Sequence, residues 1–496
     1  MSAPHEKTPQ DDGHESEPEM LEADDVGEEV NVDDEDMPMD SDDENEEINL
    51  QNDSVAYFDA HKDSVFAIAQ HPVHPTLIAT GGSEGDSDDA PGKGYLLSTA
   101  AAASRPVLPA SYSGDAAQPQ STELQFIYPI DGHTDSINAL AFTFPKGDFL
   151  VSGGMDGKLR VHALRVNSPT AEAASVQIKF ITEAQEVPEI NWIAACPSPK
   201  YPNTIAIGAS DNSVWVYTID IAAGGGNPAN CLQLVQTYWL HQAPVTAGAW
   251  TPDGNFLCTV SEDASLYVWD VWGEAAAAGL VESNGQTTVS LTAEDQRFIV
   301  EGGLYSVAVD PKGTLVAVGG AGGAIRIVSL PRLASSAQAG KGGKSKSASD
   351  VVAGGQILAA LQTASDSIET LSFTEAAGGP GQISRLLAAG SVDGSVTVFD
   401  AGRRFAVRRS LGVGAHEEFS VVKVEFVKNS WLLTTCGMDG VVRRWDLRAQ
   451  DGGLIKEWRG HRGEGEGGGV LGFVQGETGE RIVTAGDDGV VLVFEA

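Results

Sequence analysis

The sequence is short of positive charge and of cysteine. Its 496 residues carry 31 Lys and Arg against 70 Asp and Glu, which gives a formal net charge of −39. Nucleic acid is therefore not expected as a direct ligand, because phosphate binding requires a basic surface. The four cysteines are far apart and form no Cys-x-x-Cys pair, which argues against a zinc site and a disulfide framework. A reducing compartment fits this cysteine usage best.

Long apolar runs are also missing. No stretch approaches the roughly 20 apolar residues of a membrane helix, and the N-terminus is acidic where a secretory signal is basic. We therefore expect a soluble intracellular protein that does not associate with membranes, located in the cytoplasm or also in the nucleus. A small basic island, KGGKSKS at 341–347, is interpreted as a loop, with a targeting signal as the alternative.

The acidic residues are concentrated at the start of the chain. Residues 1–50 hold 21 Asp and Glu and a single basic residue, Lys7. So few apolar residues accompany them that burial cannot offset the entropy of ordering this segment. The sequence predicts a disordered acidic tail over 1–50 and a folded domain over 51–496.

One phrase recurs along the folded domain: two alternating strands, a turn with Asp, and a third strand that ends in an aromatic residue. Its clearest copies span 136–164, 189–219, 244–271 and 419–447. β-Branched and aromatic residues alternate between Gly, Asp and Ser turns, as in all-β repeat proteins. Eight units follow from the starts of the first strands, which lie near Ser64, Ser136, Glu189, Pro244, Leu304, Ser367, Phe419 and Gly469.

The last unit ends at Ala496 after three strands. The stretch 54–61 has strand composition and precedes the first unit just as 123–133 precedes the second. We therefore expect the strand near 54–60 to complete the last unit and close a ring, which removes the exposed edge of an open array.

Histidine and aspartate pair repeatedly across the units. The pairs are His133 with Asp156, His241 with Asp263, His416 with Asp439, and His461 with Asp488. Catalytic dyads are one interpretation. The favoured one is structural, because a buried Asp bonded to imidazole braces a turn and needs that partner for its charge. With no H-E-x-x-H spacing and no surviving nucleophile motif, we expect no enzyme activity, no cofactor and no metal.

Aligned repeats place acids at equivalent loop positions around the expected channel mouth. These candidate partner-binding residues are Asp63, Asp135, Glu186, Glu262, Glu301, Asp366, Glu418 and Asp487. Polar loops are the alternative explanation for each residue alone. Together the acids would focus a negative potential over the mouth, and a basic peptide is the natural ligand.

The Gly-His, Asp-Gly and Trp-Asp elements resemble the WD-repeat family from about residue 54 to the end of the chain. This resemblance implies an all-β, eight-bladed propeller. Three units, the third, fifth and sixth, lack the Gly-His, and the fifth has Gly322 in place of the turn Asp.

The acidic tail, the opening HKDSVFAIAQHP with LIATGGSEGD, and the eight units are similar to the Sqt family of ribosome-assembly chaperones and their animal relatives. The resemblance implies a monomeric, non-catalytic chaperone for assembly of the 60S subunit. Its partner would be the basic N-terminus of newly made large-subunit ribosomal protein ten, also called universal L-sixteen. A histone-binding WD-repeat protein is the alternative, since acidity would serve it equally.

Overall fold

The computed structural model describes residues 52–85, 87, 90–102, 121–167, 176–333, 352–379, 382–449, 453–462 and 468–496. These residues form eight β-sheets, arranged as the blades of a propeller. The eight-bladed propeller expected from the repeats is confirmed. The acidic tail 1–50 and the basic island 341–347 lie outside the described residues, so the statements about them stay predictions.

The strands are numbered in chain order. They are β1 (Ala56–Phe58), β2 (Ala67–Gln70), β3 (Leu77–Ser83), β4 (Gly92–Ser98), β5 (Thr122–Glu123), β6 (Phe126–Ile130), β7 (Ile137–Phe142), β8 (Phe149–Gly154), β9 (Leu159–Val166), β10 (Val176–Ala184), β11 (Ile190–Ala195), β12 (Thr204–Ala209), β13 (Val214–Ile219), β14 (Leu232–Tyr238), β15 (Val245–Trp250), β16 (Phe256–Ser261), β17 (Leu266–Asp270), β18 (Thr287–Leu291), β19 (Leu304–Val309), β20 (Leu315–Gly320), β21 (Ala324–Ser329), β22 (Ile357–Gln362), β23 (Ile368–Gly379), β24 (Gln382–Ser391), β25 (Val396–Asp400), β26 (Ala406–Gly412), β27 (Val421–Phe426), β28 (Leu432–Gly437), β29 (Val442–Asp446), β30 (Leu454–Trp458), β31 (Val470–Val474), β32 (Arg481–Gly486) and β33 (Val491–Glu495).

Helical structure among the described residues is short. A four-residue α-helix, α1 (Glu274–Ala277), follows β17, and the 3₁₀ turns span three residues each. None of the helices in these ranges is long and apolar enough to cross a membrane.

Each blade is built on four antiparallel strands, of which the first is innermost. Blade 1 runs β2-β3-β4-β6, blade 2 runs β7 to β10, and the next five blades continue four strands at a time to β30. The first strands of successive blades contact one another in a closed cycle, from β2 through β7 and onward to β31 and back to β2. They therefore surround a central channel.

Blade 8 joins the two ends of the described chain. Its order is β31-β32-β33-β1-β5, and β1 pairs antiparallel with β33, with Ala56 opposite Val493. Strand β5 adds in parallel to the outer side of β1. The fourth strand of this blade thus comes from the N-terminal side of the domain, as expected for the strand near 54–60, and β5 covers its edge.

The core lies between blades. The second strands β8, β12 and β16 are buried at every residue, because they have a strand on either side and a neighbouring blade over each face. Their small and apolar residues suit this double burial. One apolar cluster, for example, joins Phe149 and Val151 of blade 2 to Ile205 and Ile207 of blade 3.

Two kinds of loop meet on one face of the ring, here called the upper face. They are the loops from the fourth strand of a blade to the first strand of the next, and the loops from the second to the third strand. The described residues of the remaining loops lie on the opposite, lower face. This arrangement places the loops with the candidate acids around one end of the channel.

Candidate partner-binding face

Histidine-centred braces hold the upper-face loops. Nδ1 of His416 lies 2.9 Å from Oδ1 of Asp439, while its Nε2 lies 2.8 Å from Oγ1 of Thr435. The Trp445 indole donates to the same Thr435 hydroxyl at 3.1 Å. Blades 2 and 8 repeat the imidazole–carboxylate contact at 3.1 Å and 3.0 Å. The side-chain polar atoms of these pairs are buried and already form hydrogen bonds within the fold. The pairs therefore have the structural role that was expected of them.

Blade 4 departs from the expected pairing. Nδ1 of His241 bonds to Oγ of Ser265 at 2.7 Å, and the Asp263 carboxylate stands 3.9 Å away. Asp263 instead accepts the backbone N–H groups of Gln242 and Ser265. The Ser265 hydroxyl thus takes the place of the carboxylate at the imidazole, and Asp263 braces the loop through its backbone N–H groups.

The turn carboxylates are held in their charged form. Burial opposes ionisation of Asp439, but hydrogen bonds and charge from His416 and Arg443 outweigh it and lower its pKa. In blade 6, which has no such histidine, burial is again opposed by hydrogen bonds, here from Ser395 and Ser365, which lower the pKa of Asp393 to about 2. The braces therefore remain ionised across the physiological range.

A cavity of about 430 Å³ opens at the channel mouth and is lined by three carboxylates from different blades. Glu189 precedes the first strand of blade 3, Glu262 follows the second strand of blade 4, and Glu369 belongs to the first strand of blade 6. Asn191, Thr246, Tyr305, Ser210 and Pro244 complete its wall. We call this cavity the acidic cup.

One backbone feature aims side chains into the channel. In seven blades the ladder between first and second strands shifts register at the second residue of the first strand, as at Asn191 between Ile190 and Trp192. Such a bulge leaves the extra residue unpaired and turns its side chain. Asn191, Thr246, Tyr305 and Glu369 are bulge residues, and all four line the acidic cup.

The other half of the mouth is more apolar. Asn191 also borders a second cavity of about 260 Å³, whose lining includes Phe66, Asn138, Leu471 and Trp192. Phe66 is 43% exposed and occupies in blade 1 the position that Leu471 occupies in blade 8. The Trp192 indole bonds to the carbonyl of Val245 at 3.2 Å and packs between blades 3 and 4. Apolar side chains, together with Lys423, therefore line the cavity beside the carboxylates.

One carboxylate of the acidic cup, that of Glu369, is shifted by burial and by a neighbouring charge. Burial in the channel raises the pKa of Glu369, and the negative charge of Asp366 raises it further. Other carboxylates of the upper face do form ion pairs in the described ranges, for example Glu84 with Lys62 at 2.7 Å. Within the described part of the chain, the three cup carboxylates have no cationic partner.

All eight predicted acids lie in upper-face loops. Asp63, Asp135, Glu186, Glu301, Asp366 and Glu418 stand in loops that lead into a first strand, whereas Glu262 and Asp487 follow a second strand.

The structure brings these acids together unequally. Glu262 lines the acidic cup and Asp366 lies near Glu369, whereas Asp63 and Asp487 meet over Ser64. The Ser64 hydroxyl donates to Oδ1 of Asp487 at 2.6 Å and its backbone N–H to Oδ1 of Asp63 at 2.8 Å.

Four further acids stand apart from the cup. Glu186 lies near Tyr217, at the outer side of the ring, and Glu301 and Glu418 are exposed on their loops. Asp135 accepts the N–H of Ser136 at 2.6 Å and so braces its own loop. Partner binding by the eight remains a prediction.

Sequence reasoning missed Glu189 and Glu369. Both lie at the start of a first strand, where the repeat alignment counted only loop positions. The available signal was the repeat register itself, because residues two positions after Glu189, Pro244 and Ser367 all line the same cavity. Among the described residues, no group of three or more His, Cys, Asp or Glu could hold a metal ion.

Fold and site define an eight-bladed WD-type propeller, a scaffold kind of fold, with carboxylates gathered at its channel mouth. The WD domain, G-beta repeat, matches residues 124–162 and 232–270. Each match runs from the fourth strand of one blade through the first three strands of the next. Sequence repeat and blade are therefore out of step by one strand, as they are in blade 8, whose fourth strand is β1.

A crystal structure of Chaetomium thermophilum Sqt1 bound to the N-terminus of the ribosomal protein L10 is 59% identical to this chain, with a TM-score of 0.76. The match covers 90% of this chain and 100% of that one. The chain therefore belongs to the Sqt1 family of WD-repeat proteins.

Two more distant relatives match most of the chain. Ribosome assembly protein SQT1 of Saccharomyces cerevisiae is 27% identical over 482 residues, which cover 93% of this chain and 91% of the relative. The angio-associated migratory cell protein of Homo sapiens is 22% identical over 443 residues, covering 89% and 80%.

Proposed function

We propose that this protein is a dedicated chaperone that binds the basic N-terminal segment of newly made large-subunit ribosomal protein ten, L10, and keeps it available for 60S assembly. The observation that carries the proposal is the acidic cup, where Glu189, Glu262 and Glu369 converge without a cation among the described residues. The relative that is 59% identical has the L10 N-terminus bound.

Binding follows from charge and shape. Lysine or arginine side chains entering the cup would exchange water for carboxylates in a concave, partly shielded site, where attraction is stronger than on an open surface. Since salt screens such attraction over about 8 Å, an apolar contact has to supplement it. Phe66 and Leu471 offer that contact on the adjoining wall.

The proposed cycle needs no chemistry by this chain. A free ribosomal protein binds polyanions promiscuously, and the upper face covers its charge until ribosomal RNA, a stronger polyanion, competes for it. We accordingly propose a non-catalytic role, with no cofactor, in the cytoplasm where the partner is synthesised. The braced His–Asp pairs support this, because their polar atoms are already used within the fold.

The test is to isolate ribosomes during translation with this protein as bait and to sequence the messages they carry. We expect enrichment of the message for L10. The bait is compared with Glu262→Lys/Glu369→Lys, which reverses two cup charges, and with Asp148→Lys, which reverses an exposed charge in a lower-face loop.

The L10 message should be lost with the cup variant and retained with the lower-face variant. Enrichment of histone messages, or of none, by the folded wild-type bait would overturn the assignment, and the first result would favour the histone-binding alternative.

A further inference from the structure

An exposed and a half-buried tryptophan form an aromatic patch at the outer rim of the upper face on blade 3. Trp239, the residue after β14, is 55% exposed. Its ring meets Trp215 edge to face, with centroids 6.1 Å apart, and Trp215 in turn lies parallel to Tyr217 at 6.2 Å. Exposed tryptophan is uncommon on a soluble surface and is over-represented where proteins bind partners.

This patch lacks the cation that covers other aromatic rings of the fold. Lys456 stands over Trp458 at 5.0 Å, and Arg408 stands over Trp431 at 5.4 Å. In the described ranges no Lys or Arg stands over the ring of Trp215 or Trp239.

A carboxylate accompanies the patch instead. Burial raises the pKa of Tyr217, and the nearby charge of Glu186 raises it further. Glu186 itself is exposed and, within the described residues, forms no ion pair. Aromatic faces beside an unpaired carboxylate are suited to an incoming arginine or lysine.

The patch and the acidic cup are the two ends of the same loops. Blade 3 is bordered on the upper face by the loops 185–189, 210–213 and 239–244. Their inner ends supply Glu189, Ser210 and Pro244 to the cup. At their outer ends stand Glu186 and Trp239, and Trp215 is the second residue of β13, just beyond the loop 210–213. The loop 185–189 has five residues, which span at most about 18 Å when fully extended. An extended peptide of about five residues can therefore follow this loop from the cup to the rim.

We propose that Trp239, Trp215 and Glu186 form a second docking site for the basic segment of the partner, in which an arginine or lysine side chain stacks on the Trp239 indole while neighbouring basic side chains occupy the acidic cup. The proposal rests on the function proposed above. It gives the segment a direction, from the channel mouth outward over blade 3, which the ring of carboxylates alone does not specify.

The experiment measures affinity for a synthetic peptide of the L10 N-terminus from the same organism, by fluorescence anisotropy. Trp239→Ala removes the stacking surface, and Trp239→Phe keeps a smaller one. Ile455→Ala is the matched control, because Ile455 is also 55% exposed on an outer strand, β30 of blade 7. We expect Trp239→Ala to weaken binding about fivefold, Trp239→Phe to weaken it less, and Ile455→Ala to leave it unchanged.

A second readout is independent of affinity. Peptide binding should change the tryptophan emission of the wild type more than that of Trp239→Phe, since the indole that contacts the peptide is missing in the variant. Melting temperatures of all variants should equal that of the wild type, because Trp239 lies outside the blade cores.

Failure of this inference is distinguishable from failure of the proposed function. Tight peptide binding that Trp239→Ala leaves unchanged overturns the second site and leaves the cup intact. A peptide that does not bind the folded wild type overturns both. A concentration-dependent dimer that Trp239→Ala abolishes would make the patch a self-contact and overturn the inference as well.

Discussion

The Glu369 carboxylate is the titrating group that the structure places best to report partner binding. Burial and the charge of Asp366 raise its pKa. A basic ligand favours the ionised form, so protonation of Glu369 and ligand binding oppose each other. The affinity is highest above the raised pKa and falls as the pH drops through it.

We therefore predict that L10-peptide binding weakens as the pH falls through the raised pKa of Glu369, at a higher pH than that at which an ordinary glutamate is protonated. Glu369→Gln should bind more weakly at neutral pH and show a flatter pH profile, because the titrating charge is gone. Asp148→Asn, on the lower face, is the control and should follow the wild type. A pH profile of Glu369→Gln that parallels the wild type would assign the effect to other groups.

A buried carboxylate paired with an arginine and a histidine matters more to stability than one held by hydroxyls. Asp439→Ala removes the buried anion that Arg443 and His416 share and leaves Arg443 with the partly exposed Glu457, so it should lower the free energy of unfolding by about 3 kcal/mol. Asp393→Ala, at the equivalent turn of blade 6, loses hydrogen bonds from Ser365 and Ser395 and should cost about 1 kcal/mol.

Urea denaturation of both variants measures this difference. The Asp439 pKa is lowered by folding, so its contribution is present above the unfolded-state pKa near 4 and is lost as the pH falls toward the folded-state value. The wild type and Asp439→Ala should therefore converge in acid. Equal losses for the two variants at neutral pH would contradict a special role for the Arg443–Asp439–His416 brace.

Strand β1 is the element on which ring closure depends. The N–H of Val55 donates to the carbonyl of Val493 at 2.8 Å, and Leu124, just after β5, donates to the carbonyl of Tyr57. Removing residues 1–50 leaves these bonds in place, whereas removal through Ala60 exposes the edge of β33.

We expect the shorter truncation to melt like the full chain and the longer one to melt lower and aggregate. Thermal denaturation with light scattering measures both. The point variant Val55→Pro deletes one of the closing bonds without shortening the chain and should lie between the two. Equal melting temperatures for the two truncations would show that ring closure does not depend on β1.

Sequence periodicity was a good guide to these elements because every blade repeats one pattern. The carbonyls that accept from a backbone N–H at the end of each second strand belong to Ser64, Ser136, Glu189, Pro244, Gly303, Ser367, Ser420 and Gly469, within one residue of the predicted starts. The bulge lies two residues after each of these carbonyls, except in blade 1, where no register shift is seen. It was not predictable, because a bulge changes strand pairing without changing the alternation of residue types. Glu369 was missed for that reason.

At the scale of the whole molecule, the sequence did not predict which residues from distant parts of the chain come together. Glu262 and Glu369 are more than one hundred residues apart and meet in one cavity because blades 4 and 6 lie two steps apart on a closed circle. Glu186 carries the same charge on the same face, yet the radial length of its loop places it at the rim. Alignment of repeats gives the face of each residue, whereas distance from the channel axis requires the fold.

The antiparallel seam between β1 and β33 also sets how the ring responds to force. Ala56 faces Val493 and Phe58 faces Val491, so the residues before β1 and after β33 leave the seam at the same end. Tension applied at residue 52 and at Ala496 would load the bonds of this seam one after another, as in a zipper. Bonds loaded in turn resist less than bonds sheared together. Pulled in an optical trap, the ring should therefore open first at blade 8, while seven blades still hold their shape.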